Sequence, residues 1–409
     1  MADRAPLPRK PVNRRSYFSS SISSEDSHQR RSNYTSSRVS QEASRRNWDS
    51  GDSYVTDKED ADRTFSTLAG NCPFMCPVEE RARRERLRDL AVFERLHGNP
   101  AKTSANLAVK KFCRTISTKD VKASDVRPVS VLEGTLDYLL SLLHSSGRPF
   151  EVVHDFIFDR TRSIRQDLSM QNAASPQVIR MYERMVTFHI ISHSQLHRSC
   201  GSPDIASMCH LNLEQLMKTL ATLLNLYEVN RVSHSASRKE AEFCSFYLLL
   251  RLASDNQGEP LTLWISRIPS PILKSKEMCF ARGILRYYRL GNYKRFILTI
   301  EEEASYLQYC ILEPYINEVR ILALSCIIHG GYKLQPYPLV DLSKLLMMKE
   351  SDVESLCTDC ALELANDGIG KGLVSTKQST MSKPSGGFQK YYPMDSERLE
   401  RLCAGKLEL

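Results

Sequence analysis

The sequence predicts an all-α protein: a superhelical array of helix hairpins of tetratricopeptide-like kind, followed by a winged-helix module with a small β wing. Three observations predict it. Apolar residues recur three and four apart over most of residues 68–330, the spacing of one helix face. The connections are short and rich in Gly, Pro, Ser and Asn, so helices follow one another without intervening strands, as in stacked helix pairs. After Gly330-Gly331, two short helical segments are followed by a strand-like, Gly-rich stretch from Ile369 to Thr376, the order of a winged helix.

Composition sets the frame. The chain has 409 residues, 41% hydrophobic and 25% charged, which suits a globular protein with a substantial core. The net charge of +8 mildly favours an anionic partner such as nucleic acid. Residues 1–64 stand apart. They are rich in Ser, Arg, Asn and Asp, with arginine pairs at 14–15, 30–31 and 45–46, and cannot bury enough apolar surface to offset chain entropy. They are expected to be disordered. Such a tail either is phosphorylated, binds nucleic acid weakly or directs import, or is a solvated linker. No apolar run approaches a membrane span, and the N-terminus lacks the apolar core of a signal peptide. A cytoplasmic or nuclear chain is expected, with its twelve cysteines reduced.

The helices are read in order. Pro77, Glu79 and Glu80 open a charged helix, early acids suiting the positive end of the helix dipole, and His97-Gly98-Asn99-Pro100 ends it. Ser130 to Glu133 has the form of a capping box, and Leu132, Leu136, Leu139, Leu140 and Leu143 follow on one face until Gly147 and Pro149. Further helices are expected from about 176 to 197, around Leu213–Leu224, around Phe243–Leu250, and over about 271–289, 292–312 and 315–329. Ala281 to Phe296 has the small-residue, Gly-Asn-Tyr and aromatic pattern of a helix hairpin. Beyond Gly331, one short helix carries Leu339, Leu342, Leu345 and Leu346. The next is expected to open with a second capping box, Ser351 to Glu354, and to present Val353, Leu356, Cys357, Cys360 and Leu364. The expected organisation is a tail over 1–64, a helical array over 65–314, a winged-helix module over 315–395 and a C-terminal tail over 396–409.

No catalytic constellation occurs: there is no GxGxxG, Walker loop, HExxH or GxSxG. An enzyme, a cofactor and a small-molecule substrate are therefore not expected. Gly368 to Gly372 precedes strand-like residues rather than a helix, so it reads as a hairpin and not a phosphate cradle. Cys357-x-x-Cys360 has no matching second pair, and Cys72 and Cys76 lie far off, so these read as buried thiols and not zinc ligands. His189, His193 and His197, four apart, read as an ordinary helix face for want of an accompanying acid. In FIFDRTRSIRQDLSMQ, residues 156–171, three arginines would keep both aspartates ionised. A structural ion-pair network over Asp159, Arg160, Arg162, Arg165, Gln166 and Asp167 is favoured over a phosphate site. Lys371, Lys377, Lys383 and Lys390 lie along a Gly-, Ser- and Thr-rich stretch with no acid between the first and last. This is either a basic wing that follows phosphates or a solvated loop.

Three blocks carry a family resemblance. GNCPFMCPVEERARR, from Gly70, with Cys72, Met75, Cys76 and Pro77, resembles the opening signature of the Sac-three/GANP family, named for germinal-centre-associated nuclear protein. FIFDRTRSIRQD is similar to that family's most specific block. Val178 to Leu196 resembles its third, through Glu183, Phe188, His189 and Ile190. The resemblance covers about 65–395. It implies a superhelical array plus winged helix as in PCI-type proteins, and a non-enzymatic scaffold of a nuclear mRNA-export assembly of the transcription-and-export complex two type, at or near the nuclear pore. It further implies a PCI-domain subunit and a small acidic DSS-type protein as partners, contacts with nucleoporins, and a basic platform for RNA or single-stranded nucleic acid. Phe-Gly repeats for the export receptor and a long helix for centrin have no counterpart in the sequence, so those two activities are not expected. A centrosome- or spindle-associated role in mitosis and a winged-helix transcription regulator remain the alternatives. The acidic stretch 352–364, without Arg, Asn or Gln, speaks against base reading in the major groove.

Overall fold

The computed structural model describes residues 68–115, 121–199, 202–233, 237–253, 260–330, 336–366, 370–374, 381–382 and 392–404. The expected disorder of residues 1–64 lies outside them. Helix dominates, with one small sheet near the C-terminus.

The first helix, α1 (Val78–Leu87), is shorter than its charge pattern suggests. It stops at Arg88, which takes a left-handed conformation (φ 55°) and bonds back to Glu85 O. Two 3₁₀ turns, Val92–Glu94 and Leu96–Gly98, occupy the stretch read as its continuation. The break serves burial: it turns Glu94 inward, where it is fully buried. Next come α2 (Val129–Ser145) and α3 (Phe150–Met170). The predicted capping box of α2 does not form. The helix starts behind Pro128, whose fixed φ is already helix-compatible, and that places Ser130 inside the first turn. Leu132, Leu136, Leu139 and Leu140 are buried as their spacing requires.

Helix α4 (Pro176–Arg198) has a cap at Ser175, whose hydroxyl accepts from Val178 N, and Pro176 at its first position. Together α4 and α5 (Pro203–Ser233) form the most extensive helix interface of the array. There follow α6 (Glu240–Leu249), α7 (Leu261–Arg267), α8 (Ser270–Leu273) and α9 (Lys276–Arg289), with α9 packed on α6. Then α10 (Tyr293–Glu303) folds back on α9. Their turn carries the expected chemistry: Gly291 has φ +64°, and Asn292 Oδ1 accepts from Arg295 N at 3.1 Å.

The array ends in α11 (Tyr306–Gly330), and here the expected boundaries fail. The break falls at Ala304 and Ser305. Pro314 lies inside the helix, so the segments expected over about 292–312 and 315–329 are instead α10 and the unbroken α11. An internal proline costs about 3 kcal/mol. Buried Ile311, Leu312, Ile316 and Val319 flank it, each contributing about 1.5–3 kcal/mol by leaving water. Glu313 also ties the helix to α4, accepting from Ser194 Oγ at 2.7 Å and Arg198 Nη2 at 2.8 Å.

The C-terminal module has the order β1 (Tyr337–Pro338), α12 (Leu339–Leu346), α13 (Glu350–Asp359), β2 (Leu364–Asn366), β3 (Lys371–Leu373). The sheet order is β1-β3-β2, antiparallel throughout, with Tyr337 opposite Leu373 and Ala365 opposite Gly372. A Cβ on Gly372 would lie 2.7 Å from Pro336 Cβ, so strand β3 can approach β1 only with glycine here. Again no capping box forms, because α13 starts at Glu350 and Ser351 is already helical. Leu364 belongs to β2 rather than to the helix face of Val353, Leu356, Cys357 and Cys360.

Within the stretch read as a C-terminal tail, Glu397–Ala404 form α14, which packs on α11. Arg398 donates to the carbonyls of Glu301 (2.6 Å) and Ala304 (2.8 Å), satisfying the open end of α10. Fully buried Arg320 of α11 fastens the module: it donates to the carbonyls of Leu346, Met347, Tyr392 and Pro393 at 2.8–3.3 Å. One continuous core runs from Val109 to Leu399. No described helix is long and apolar enough to cross a membrane, and no disulfide joins the described cysteines.

Candidate functional site

The two N-terminal signature blocks, eighty residues apart in sequence, meet in space. Helix α3 presents Arg160, Ser163 and Asp167 on one buried face. The loop 70–76 and the segments 90–95, 108–112 and 123–127 are bound to that face by charge.

At one end lies Glu94. Its carboxylate accepts from Arg84 Nη1 (3.0 Å), Arg84 Nη2, Arg160 Nη2 (3.1 Å), Val109 N (3.0 Å) and Ala91 N (3.0 Å). Burial alone would push this carboxyl up. Arg160, Arg84 and the Val109 amide outweigh burial and hold it below the usual range. At the other end lies Asp167, fully buried. It accepts from Lys110 Nζ at 2.6 Å, and from Arg127 Nε at 2.7 Å and N at 3.2 Å. Arg127 continues to Met75 O (3.1 Å) and Ser163 Oγ (3.0 Å). Ser163 in turn donates to Lys110 O at 2.7 Å. Burying these ions costs several kcal/mol each, and only this density of partners offsets it.

The remaining signature residues divide. Met75 O accepts from Lys110 N and Arg127 Nη1. Cys72 and Cys76 are buried, Cys72 N bonding Val126 O at 3.0 Å. Burial pushes the Cys76 thiol up to about 12, so it stays protonated. Pro77 caps α1. Asp159 is only half-buried, beside Arg160 and Phe112 N. Arg162 is also half-buried and stacks on Phe112, its guanidinium carbon 3.8 Å from the ring centre. Gln166 Nε2 donates to Cys113 O at 2.9 Å. Arg165 faces away from the network, towards α5, donating to Thr219 Oγ1 (2.6 Å) and Gln215 Oε1 (2.5 Å). Of the six block residues, the structure therefore brings Arg160 and Asp167 into the buried network, sets Asp159 at its edge, and leaves Arg162, Arg165 and Gln166 around a separate cleft. The partners that sequence reasoning missed are Arg84, Glu94, Lys110, Arg127 and Ser163. Arg84 and Ser163 had a signal, sitting in the first and second signatures. Glu94, Lys110 and Arg127 are scattered through the irregular segments between α1 and α2, with no periodicity to mark them.

The third block contributes polar contacts between helices. Glu183 accepts from Tyr227 Oη at 2.7 Å. Asn212 Oδ1 accepts from both His189 Nδ1 (2.8 Å) and His154 Nε2 (3.2 Å), and Asn212 Nδ2 donates to His189 O at 2.8 Å. That sets both tautomers and leaves both rings neutral. Burial pulls His189 down to about 3 and His193 to about 4. Among the described residues no group of three His, Cys, Asp or Glu is arranged to hold a metal ion.

Of the four lysines read as a basic wing, Lys371 opens β3 and pairs with Glu354 Oε1 of α13 at 2.7 Å. Lys377, Lys383 and Lys390 lie outside the described residues.

The model of the SAC3/GANP family matches residues 75–366, well over half of the chain, spanning the first signature block from Met75 on, the other two blocks, the array and most of the C-terminal module. The chain belongs to the SAC3/GANP family. It is 35% identical to SAC3 family protein B of Arabidopsis thaliana over 302 residues, 71% of this chain and 17% of that protein. To SAC3 family protein 1 of Schizosaccharomyces pombe it is 29% identical over 299 residues, 68% of this chain and 28% of the relative. To Protein xmas of Drosophila melanogaster it is 30% identical over 273 residues, 64% and 13% respectively. The chain thus matches less than a third of each relative's own length. Cys72, the four lysines from Lys371 and helix α14 fall outside the stretch that the SAC3/GANP model matches.

Proposed function

We propose that this SAC3/GANP chain is a non-enzymatic scaffold of a nuclear mRNA-export assembly of the transcription-and-export complex two type. The observation that carries the proposal is the family match, which extends from the Met-Cys-Pro loop into the C-terminal module. A scaffold needs a rigid frame, and the buried charge network and continuous core provide one.

In this proposal the array is of the PCI type, and β1-α12-α13-β2-β3 is its winged helix. A PCI-domain subunit and a small acidic DSS-type protein dock beside that module, and nucleoporin contact places the assembly at the pore. The faces of α12 and α13 that carry Leu342, Leu346, Val353 and Leu356 are buried in the module's own core, so a partner has only their outer edges. Val340, 47% exposed on α12, lies on such an edge. RNA would follow Lys371, Lys377, Lys383 and Lys390. The Lys371–Glu354 pair is exposed and worth about 1 kcal/mol or less, so a phosphate can displace it.

Co-expression of the full chain with the PCI-domain and DSS-type subunits tests the scaffold. The expected result is a stable ternary complex on size exclusion, weakened by Val340→Glu. A folded chain that co-elutes with neither subunit would overturn it. For RNA, replacing the four lysines with glutamine should flatten the log–log salt slope of single-strand binding by about 0.7 per lost contact.

A further inference from the structure

Between α3, α4 and α5, on the side of α3 away from the buried network, lies a cleft of about 880 Å³. Among the described residues three cations line it, Arg162, Arg165 and Lys218, and no Asp or Glu does. Arg165 forms the floor. Its guanidinium has two neutral partners, Thr219 and Gln215, and no ion pair among the described residues. Its Nε is shut off from solvent with no hydrogen-bond partner, and so is the neighbouring Gln166 Oε1. Among the described residues, the four arginines that are buried outright meet a carboxylate or a set of carbonyls: Arg84 and Arg160 meet Glu94, Arg127 meets Asp167, and Arg320 meets four carbonyls. Burial accordingly pulls Arg165 down to about 10, with Tyr182 opposing the shift and Arg162 adding to it. A half-buried cation whose guanidinium meets only neutral dipoles gains from an anion that completes it.

The rim supports the same conclusion. Arg162 is held over Phe112 and so is fixed in place. Its charge is only partly offset by Asp159, which pairs with Arg160, and the Lys218–Glu214 pair lies at the surface, where exchange costs little. Thr222 and Asn225 add uncharged hydrogen-bonding groups, and Ala173, Ala174, Leu226 and Val229 make the far end apolar. Three cations without a lining acid suit a dianion better than a carboxylate. The volume exceeds what a phosphate fills, leaving room at the apolar end for the group that carries it.

We propose that this cleft binds a phosphate monoester with an apolar or uncharged body, Arg165 donating to the phosphate oxygens and Arg162 and Lys218 neutralising its remaining charge. The site is independent of the scaffold proposal. A phosphate monoester is dianionic at neutral pH, whereas the diester of a nucleic-acid backbone carries one charge and offers fewer free oxygens.

Phenyl phosphate is the probe, titrated calorimetrically into the full chain at fixed ionic strength. The expected result is saturable binding at one site. It should be tighter than for inorganic phosphate, which lacks the apolar body, and for dimethyl phosphate, which lacks the second charge. Arg165→Met should weaken it by at least about ten-fold, the effect of losing a charge-assisted hydrogen bond. Phenyl phosphate should also raise the melting temperature of the wild type but not of Arg165→Met, whereas an arginine with only a structural role would shift both proteins' melting alike. If Arg165→Met does not fold, Arg162→Gln and Lys218→Gln at the rim should each weaken binding several-fold. Absence of saturable binding to the wild type would overturn the proposal. So would affinity unchanged in the variants, or equal affinity for dimethyl phosphate or a dinucleotide, which would point to nucleic acid instead.

Discussion

Asp167 and Arg127, forty residues apart, form one closed unit: a single carboxylate oxygen accepts both the Nε (2.7 Å) and the backbone amide (3.2 Å) of the same arginine, and both side chains are fully buried. The contact locks a side chain and a stretch of irregular backbone together, so the loop before α2 is held as firmly as a helix. Lys110 on the other oxygen brings in a second loop.

Removing that carboxylate should therefore be severe. Asp167→Ala leaves two cations buried without their acceptor, and a loss of about 3–5 kcal/mol is expected. Asp159→Ala, at a half-buried position, should cost about 1 kcal/mol or less. Urea unfolding of the two variants checks the contrast; equal losses would contradict it.

Gly70 makes a sharper test of the Cys-Pro loop. A Cβ there would sit 2.6 Å from Val126 O and 2.8 Å from Val126 C, both backbone atoms that cannot swing away. Gly70→Ala should cost about 1–3 kcal/mol, the range of an overpacked site, although the loop is partly exposed. Gly134→Ala, with open space around it, should be neutral or slightly stabilising because alanine favours helix. The two melting temperatures should move in opposite directions or differ clearly.

The buried histidines predict acid sensitivity. His154, His189 and His193 have folded pKa values depressed chiefly by burial, His189 to about 3 and His193 to about 4. The unfolded chain, titrating near 6.5, binds more protons than the folded one between these values. Their contribution to stability is therefore complete above about pH 6.5 and is lost as pH falls towards the folded values. Each should contribute up to about 1.4 kcal/mol per pH unit within that window. Unfolding free energy measured at pH 7.5, 6.5 and 5.5 should fall below pH 6.5, and His189→Gln should have a shallower slope than the wild type.

Arg320 predicts how the C-terminal strap is held. Arg320→Leu should free the carbonyls of Tyr392 and Pro393 and expose residues 392–404 to limited proteolysis, with a loss of about 3 kcal/mol or more. Tyr392→Phe, which removes the hydroxyl's contacts with Asp359 (2.6 Å) and Ser355 (3.1 Å) but leaves the carbonyl in place, should cost about 1 kcal/mol and leave protease resistance intact. Equal proteolysis of the two variants would mean that Arg320 is not the fastener.

The sequence by itself determined the helical class and the position of most helices, the two short ones after Gly331 included. The reason is that a 3.6-residue period, a Gly-Asn turn and a short leucine repeat are local signals, readable from neighbours in the chain. Of the arginine block, read as one charge network, Arg160 and Asp167 enter the buried network and Arg162, Arg165 and Gln166 do not. What only the tertiary structure decided was which charges are buried and what faces them. Asp159 and Asp167 look alike in the motif, eight residues apart. Yet α3 turns Asp167 to Lys110 and Arg127, and leaves Asp159 at the edge. Arg160 meets Glu94 while Arg165, five residues on, points into a cleft with no acid. Helix ends followed the same rule. Pro314 did not break α11, and Ser130 and Ser351 did not cap their helices, because burial across elements outweighs a single cap or a single backbone hydrogen bond. Partners brought together from loops forty to sixty-six residues away leave no periodic trace, so their identity belongs to the fold alone.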